Sequence, residues 1–225
     1  YAANQGTPAL RKAVADYETR RGNAVTPEQV LITVGATQAL FTAIFGILNP
    51  GEEVIIVEPC FVAYKATVEF AHGVPVIVET KPENNYKLMP DELEAAITDK
   101  TKYVIVGYPN NPTGAVMTLE DWAKIKDVLM RHPDVIVLSD ELYCELNYLD
   151  GKPASLTQFA ELRDRVVMVN GFSKSYAMTG FRVGYLAGPH ELIAPMVKIH
   201  QYCIMCAPST SQLAVVEAAM NADNE

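Results

Sequence analysis

Seven short apolar runs, rich in β-branched residues, recur along the chain, and helical patterns fill most of the gaps between them. The runs fall at residues 30–34, 54–57, 74–78, 103–107, 135–138, 166–169 and 183–187. Near-continuous apolar character over so short a span marks strands buried on both faces. Helices are expected at residues 8–21, 37–48, 62–71, 90–97, 119–131, 156–162, 190–200 and 209–220. Pro8 sits in a first turn, where a missing N–H leaves no bond unmade, and Gly22 ends that helix. Thr118-Leu-Glu-Asp121 supplies a capping box. Strand and helix in alternation imply an α/β fold, an α-β-α sandwich around a mostly parallel sheet. The gap before the seventh run holds only about a dozen residues and fits a helical crossover poorly, so that strand is expected to run antiparallel.

Composition narrows the function classes. At 225 residues the chain can enclose one sizeable core, and 49% hydrophobic with 20% charged residues is ordinary for a globular domain. No apolar run is long enough to span a membrane, and nothing at the start reads as a signal peptide. The net charge of −9 argues against a nucleic-acid partner, whose phosphates need a basic patch. Of the four cysteines, Cys60, Cys144, Cys203 and Cys206, only the last two form a Cys-x-x-Cys. With no second pair and no spaced histidines, no zinc site is expected, and the chain reads as reduced and cytoplasmic. It begins at Tyr1 without a methionine and ends just after a helical stretch, and so reads as a piece of a longer protein.

In open parallel sheets the ligand lies beyond the carboxyl ends of the strands. The residues able to do chemistry here all follow expected strands. After the sixth comes Gly171-Phe-Ser-Lys174, with Arg182 eight residues beyond the lysine and glycines around both. A lysine at a strand end can face a pocket, and once desolvated its amine can form a Schiff base. After the fifth come Asp140 and Tyr143, either a helix cap or a carboxylate for a cationic ring nitrogen with a phenol beside it. After the fourth, Asn110-Asn-Pro-Thr-Gly114 is a turn that can also hold the Asn111 amide at its tip. A cis bond is expected at Asn111–Pro112. After the first, Gly35-Ala36-Thr37 opens a helix whose free N–H groups can cup an anion. Arg182 is a natural second partner for a phosphate, and Phe61, after the second strand, can stack on a flat ring or simply pack in the core. Amine, carboxylate, phenol, amide, anion cup and stacking ring together match one cofactor, pyridoxal 5′-phosphate.

The string Ser173-Lys-Ser-Tyr-Ala-Met-Thr-Gly-Phe-Arg-Val-Gly184, with Asn-Asn-Pro-Thr-Gly and Asp-Glu-Leu-Tyr before it, resembles the fold-type I, class I/II aminotransferases. The resemblance is to the branch of prokaryotic aspartate, alanine and aromatic aminotransferases, and runs from Tyr1 to about Met220. It implies a large domain built on a seven-stranded sheet with one antiparallel strand, and makes residues 1–225 that pyridoxal-phosphate-binding domain. It also implies roles. Lys174 would hold the Schiff base and move the proton, and Asp140 would keep the ring nitrogen protonated. Asn111 and Tyr143 would bond the ring 3-oxygen, and Phe61 would stack on the ring. Ala36, Thr37 and Arg182 would bind the phosphate. Tyr1, in Tyr-x-x-x-x-Gly6, would reach the phosphate of a neighbouring subunit, making the enzyme a homodimer.

Two departures from the family pattern stand out. Some relatives carry a phosphate-binding serine where this chain has Gly171, which leaves Ser173 as a substitute. The family's N-terminal arm and C-terminal small domain, which carries the arginine for the substrate carboxylate, are absent from the sequence. The implied reaction is transfer of an amino group from an L-amino acid to a 2-oxo acid, with 2-oxoglutarate the acceptor, in two half-reactions at one site. Two alternatives share the fold: a C–S β-lyase, and the aminotransferase-like sensor domain of a transcription regulator.

Overall fold

The computed structural model describes residues 2–146, 148 and 154–221. Its centre is a seven-stranded sheet in the order β1-β7-β6-β5-β4-β2-β3. The strands are β1 (Val30–Thr33), β2 (Glu53–Glu58), β3 (Val74–Glu79), β4 (Thr101–Gly107), β5 (Ile136–Asp140), β6 (Val166–Gly171) and β7 (Gly184–Ala187). Strands β2 to β6 are parallel to their neighbours in that set, whereas β7 runs antiparallel to both β1 and β6. The antiparallel seventh strand was expected, and the reason holds: the segment from Phe172 to Val183 holds only a four-residue helix, Phe172–Ser175, and a 3-10 turn, Thr179–Phe181, too short for a crossover.

Eight α-helices flank the sheet among the described residues: α1 (Pro8–Arg21), α2 (Gly35–Ile47), α3 (Ala63–Phe70), α4 (Pro90–Ala96), α5 (Leu119–Leu129), α6 (Phe172–Ser175), α7 (His190–Ile204) and α8 (Ser209–Asn221). Local signals set their ends. Thr7 caps α1 by accepting from the Leu10 N–H, and Gly22 closes it in the left-handed region at φ 100°. Thr118 and Asp121 form the expected capping box on α5. One expected helix does not form. Residues 156–162 are two 3-10 turns, Leu156–Gln158 and Ala160–Leu162, because Phe159 between them is extended at φ −84°, ψ 114°.

Alternate residues of each strand point to opposite faces. Val54, Ile56, Tyr103, Ile105 and Leu138 pack under α2, α3 and α7 with Leu40, Ile44 and Met196. Ile55, Val57, Val104, Val106 and Val137 pack under α4 and α5 with Leu93, Trp122 and Ile125. On that same side, Ile32, Met168 and Tyr185 meet Leu10 and Val14 of α1 and Val215 of α8. Burying each such side chain contributes roughly 1.5–3 kcal/mol. The inner strands are covered on both faces as expected, but β3 is not: it is a sheet edge, with Val74 45% and Ile77 37% exposed. Register aligns the strand exits in one row. Gly107 pairs with Asp140, Asp140 with Val169, and Gly171 with Gly184.

Candidate active site

A pocket opens along that row of strand exits. Ala36, Thr37, Phe61, Asn111, Asp140, Tyr143, Lys174 and Arg182 all line it. Tyr1 lies outside the described residues.

The anion cup forms where β1 turns into α2. Val34 stands at the cap position and offers no side-chain acceptor to the first turn. The leading N–H groups of a helix have no partner within it, and their end of the helix is positive. Arg182 lies against this same end. A Cβ added to Gly35, whose φ is +75°, would fall 2.5 Å from the Arg182 Nη2. Arg182 itself adopts the left-handed region at φ 54° and is anchored by Nη1 donating to the Thr179 carbonyl at 2.9 Å. Two positive groups thus converge on one spot, an arrangement that a bound anion satisfies from both sides.

Asp140 closes β5 and is 8% exposed. Its Oδ2 accepts from the Tyr64 hydroxyl at 2.7 Å and its Oδ1 from the Leu142 N–H at 3.2 Å. Burial raises its pKa above the usual aspartate value, while these two donors pull it back. Tyr64 escaped the sequence reading. Its only signal was its place three residues after Phe61, where the exit of β2 leads into α3. The two rings meet edge to face with centroids 6.0 Å apart. Burial pushes the Tyr64 hydroxyl well above its ordinary pKa, so it stays a donor. Gly107 makes room for it, since a Cβ there would sit 2.8 Å from the Tyr64 oxygen.

The two asparagines of the β4 exit divide the work. Asn110 is scaffold: its Oδ1 accepts from the Thr113 N–H and hydroxyl, and its Nδ2 donates to the Gly107 carbonyl. Asn111, before a cis Pro112 as expected, is left to line the pocket, its Nδ2 3.4 Å from the Tyr143 hydroxyl. Lys174 projects from the single turn of α6, half-buried, with Nζ 5.8 Å from the centre of the Tyr143 ring. Ser173 also lines the pocket. Gly171 is explained by packing: a Cβ there would lie 3.0 Å from the Gly184 Cα and 3.1 Å from the Val183 carbonyl, so β7 occupies the space of a side chain.

Among the described residues no group of three or more His, Cys, Asp or Glu is placed to hold a metal, and the cysteines are free thiols. No described helix is long and apolar enough to cross a membrane.

Fold and site together define the fold-type I class of α/β transferases. A family model, Aminotransferase class I and II, matches residues 1–225. The chain is 43% identical over 220 residues to the aspartate/prephenate aminotransferase of Cereibacter sphaeroides, covering 97% of this chain and 55% of that protein. Its structure is similar to the crystal structure of the aspartate aminotransferase from Rhizobium meliloti, with a TM-score of 0.95 at 38% identity over 97% of this chain and 55% of that one. It is also similar to the aromatic aminotransferase from Pyrococcus horikoshii, with a TM-score of 0.94 at 38% identity over 98% of this chain and 60% of that one. The chain belongs to the class I and II aminotransferase family, and spans little more than half the length of the curated relative it matches.

Proposed function

We propose that this chain is the cofactor-binding large domain of a pyridoxal-phosphate-dependent aminotransferase acting in the cytoplasm. The enzyme moves an amino group from an L-amino acid to a 2-oxo acid, with 2-oxoglutarate as acceptor, by a ping-pong sequence. The observation that carries the reading is the convergence of Arg182 and the uncapped α2 start on one spot of a pocket that also holds a lysine and a buried aspartate. That donor set fits a phosphorylated ring with a basic nitrogen. Bound there, pyridoxal phosphate supplies an aldehyde for an amine and a ring that withdraws electrons.

The chain's own residues then have defined tasks. The Ala36 and Thr37 N–H groups and the Arg182 guanidinium hold the phosphate. Asp140 keeps a proton on the ring nitrogen, and Tyr64 holds Asp140 in place. Asn111 and Tyr143 donate to the ring oxygen, Phe61 covers a ring face, and Ser173 assists at the phosphate. Lys174 would present its amine to the bound cofactor's aldehyde and, as a free amine, would take and return the proton of the amino donor's carbon. Tyr1, outside the described residues, would serve the phosphate of a neighbouring subunit in a homodimer. Gln5, just downstream, is pinned to β1, with the Ile32 N–H donating to its carbonyl at 3.0 Å and its Nε2 donating to the Val30 carbonyl at 2.9 Å.

The test uses the full-length protein with pyridoxal phosphate. Borohydride reduction is expected to fix the cofactor on Lys174, read by peptide mass, and Lys174→Ala is expected to abolish both that adduct and amino transfer to 2-oxoglutarate. Amino transfer that persists in the variant, or a reduced adduct found on a different lysine of the wild-type protein, would overturn the reading. Pyruvate release from cystathionine without amino transfer would instead make the enzyme a C–S lyase.

A further inference from the structure

Next to Asp140 in sequence, Glu141 turns away from the pocket into a polar cluster that the reaction does not touch. At its centre is Arg21, in the last turn of α1 and 8% exposed. Its Nη1 donates to both carboxylate oxygens of Glu18 at 2.9 and 2.7 Å, and its Nη2 to Glu141 Oε2 at 2.8 Å. Glu18 is fully buried and Glu141 3% exposed. Burial works to lower the Arg21 pKa, but the two carboxylates outweigh it and the pKa is raised.

Such a cluster is not a cheap source of stability. Desolvating a buried ion group offsets most of its Coulomb attraction, and well-packed apolar side chains often serve stability as well or better. What it supplies is geometry. An arginine fork fixes two carboxylates at set angles, which a lysine cannot do. The bonds leaving the cluster end at the cofactor loops. The Glu141 N–H donates to the Val169 carbonyl at 2.8 Å, and the Glu141 carbonyl accepts from the Cys144 N–H at 3.0 Å, closing the turn that carries Tyr143. Glu141 Oε1 also accepts from the Ser139 and Ser155 hydroxyls. On the other side Glu18 accepts from the Tyr185 hydroxyl and from Asn170 Nδ2. Asn170 Oδ1 in turn takes the Gly171 N–H at 2.7 Å, where β6 passes into the α6 turn bearing Lys174.

We propose that Arg21, with Glu18 and Glu141, is the positioning device of the cofactor site, locking the Asp140–Tyr143 turn and the Lys174 turn to each other and to α1. The inference rests on the function proposed above for the pocket. The three residues are positioning residues, since none lines the pocket.

The experiment compares the full-length protein with the neutral triple variant Glu18→Gln/Arg21→Met/Glu141→Gln, which leaves no unpaired buried charge. Cofactor-free protein is followed by hydrogen exchange, and holoenzyme by the pH midpoint of its visible absorbance and by cofactor Kd. The expected result is about tenfold faster exchange at residues 140–144 and 170–176 with β2 and β3 unchanged, equivalent to about 1.4 kcal/mol of local opening. The midpoint shifts, and the cofactor Kd rises about tenfold. Glu141→Gln alone, which keeps volume and serine contacts, is expected to change the same two segments in the same direction. Arg21→Lys is expected not to restore wild-type exchange. Unchanged exchange in those segments, acceleration spread evenly over the sheet, or full rescue by lysine would overturn the proposal. Wild-type binding of pyridoxal phosphate is read separately, so a failure of the functional reading shows there and not in the exchange of the cofactor-free protein.

Discussion

Removing the Tyr64 hydroxyl tests how the pocket controls its aspartate. Tyr64→Phe keeps the ring and its edge contact with Phe61, and deletes only the 2.7 Å bond to Asp140 Oδ2. A hydrogen bond to a charged acceptor is worth about 1.5–3 kcal/mol, and one pKa unit corresponds to about 1.4 kcal/mol. The Asp140 pKa, already raised by burial and held down in part by this bond, should therefore rise further in the variant. A group whose folded pKa exceeds its unfolded one binds more protons when folded across the window between the two values. Its stabilising contribution is present below the unfolded value and is lost as the pH rises through the folded one. Cofactor-free Tyr64→Phe should thus lose stability more steeply than wild type as the pH rises above the ordinary aspartate range. NMR titration of labelled Asp140, with urea unfolding at several pH values, measures both effects. An unchanged or lowered Asp140 midpoint in the variant would refute the assignment of Tyr64 as a donor that favours the charged form of Asp140.

Further substitutions probe the remaining walls of the site. Gly35→Ala puts a methyl 2.5 Å from the Arg182 guanidinium and forces alanine to φ +75°. It should cost about 1–3 kcal/mol in stability by thermal unfolding and displace Arg182, weakening binding of pyridoxal phosphate more than that of phosphate-free pyridoxal. Gly171→Ser introduces a side chain against the Gly184 backbone and should destabilise by about 1–3 kcal/mol, not restore a phosphate ligand. A gain in cofactor affinity would contradict that. Gln212 is fully buried and clamps the N-terminal segment, its Oε1 accepting from the Thr7 N–H at 2.8 Å and its Nε2 donating to the Ala207 carbonyl at 2.7 Å. Gln212→Ala leaves both groups unpaired and should cost about 1–3 kcal/mol by urea denaturation.

Much of the architecture was legible because strands and helices advertise themselves through period and punctuation. The seven runs became the seven strands, and the short gap before the last one correctly implied its reversal. Legibility failed where neighbours decide. Residues 156–162 have helical composition but break at Phe159, and β3 has the apolar run of an inner strand but lies at an edge. Neither the extended Phe159 nor the strand order is written in a local pattern.

Within the site, residue types at strand exits were enough to name the pocket lining, because the fold collects those exits in one row. Lys174, Asp140, Asn111, Arg182 and the Gly35-Ala36-Thr37 turn each carry a reactive or anion-binding group on a short loop. What the sequence by itself determined was this inventory and the alternation of strands and helices that carries it, since both follow from local chemistry. Only the tertiary structure showed what supports the inventory. Tyr64 and Asp140 are 76 residues apart, and Arg21 and Glu141 are 120 apart. Bonds over such spans depend on strand register and on room left by Gly107, Gly171 and Gly184, and neither quantity has a local signature in the chain.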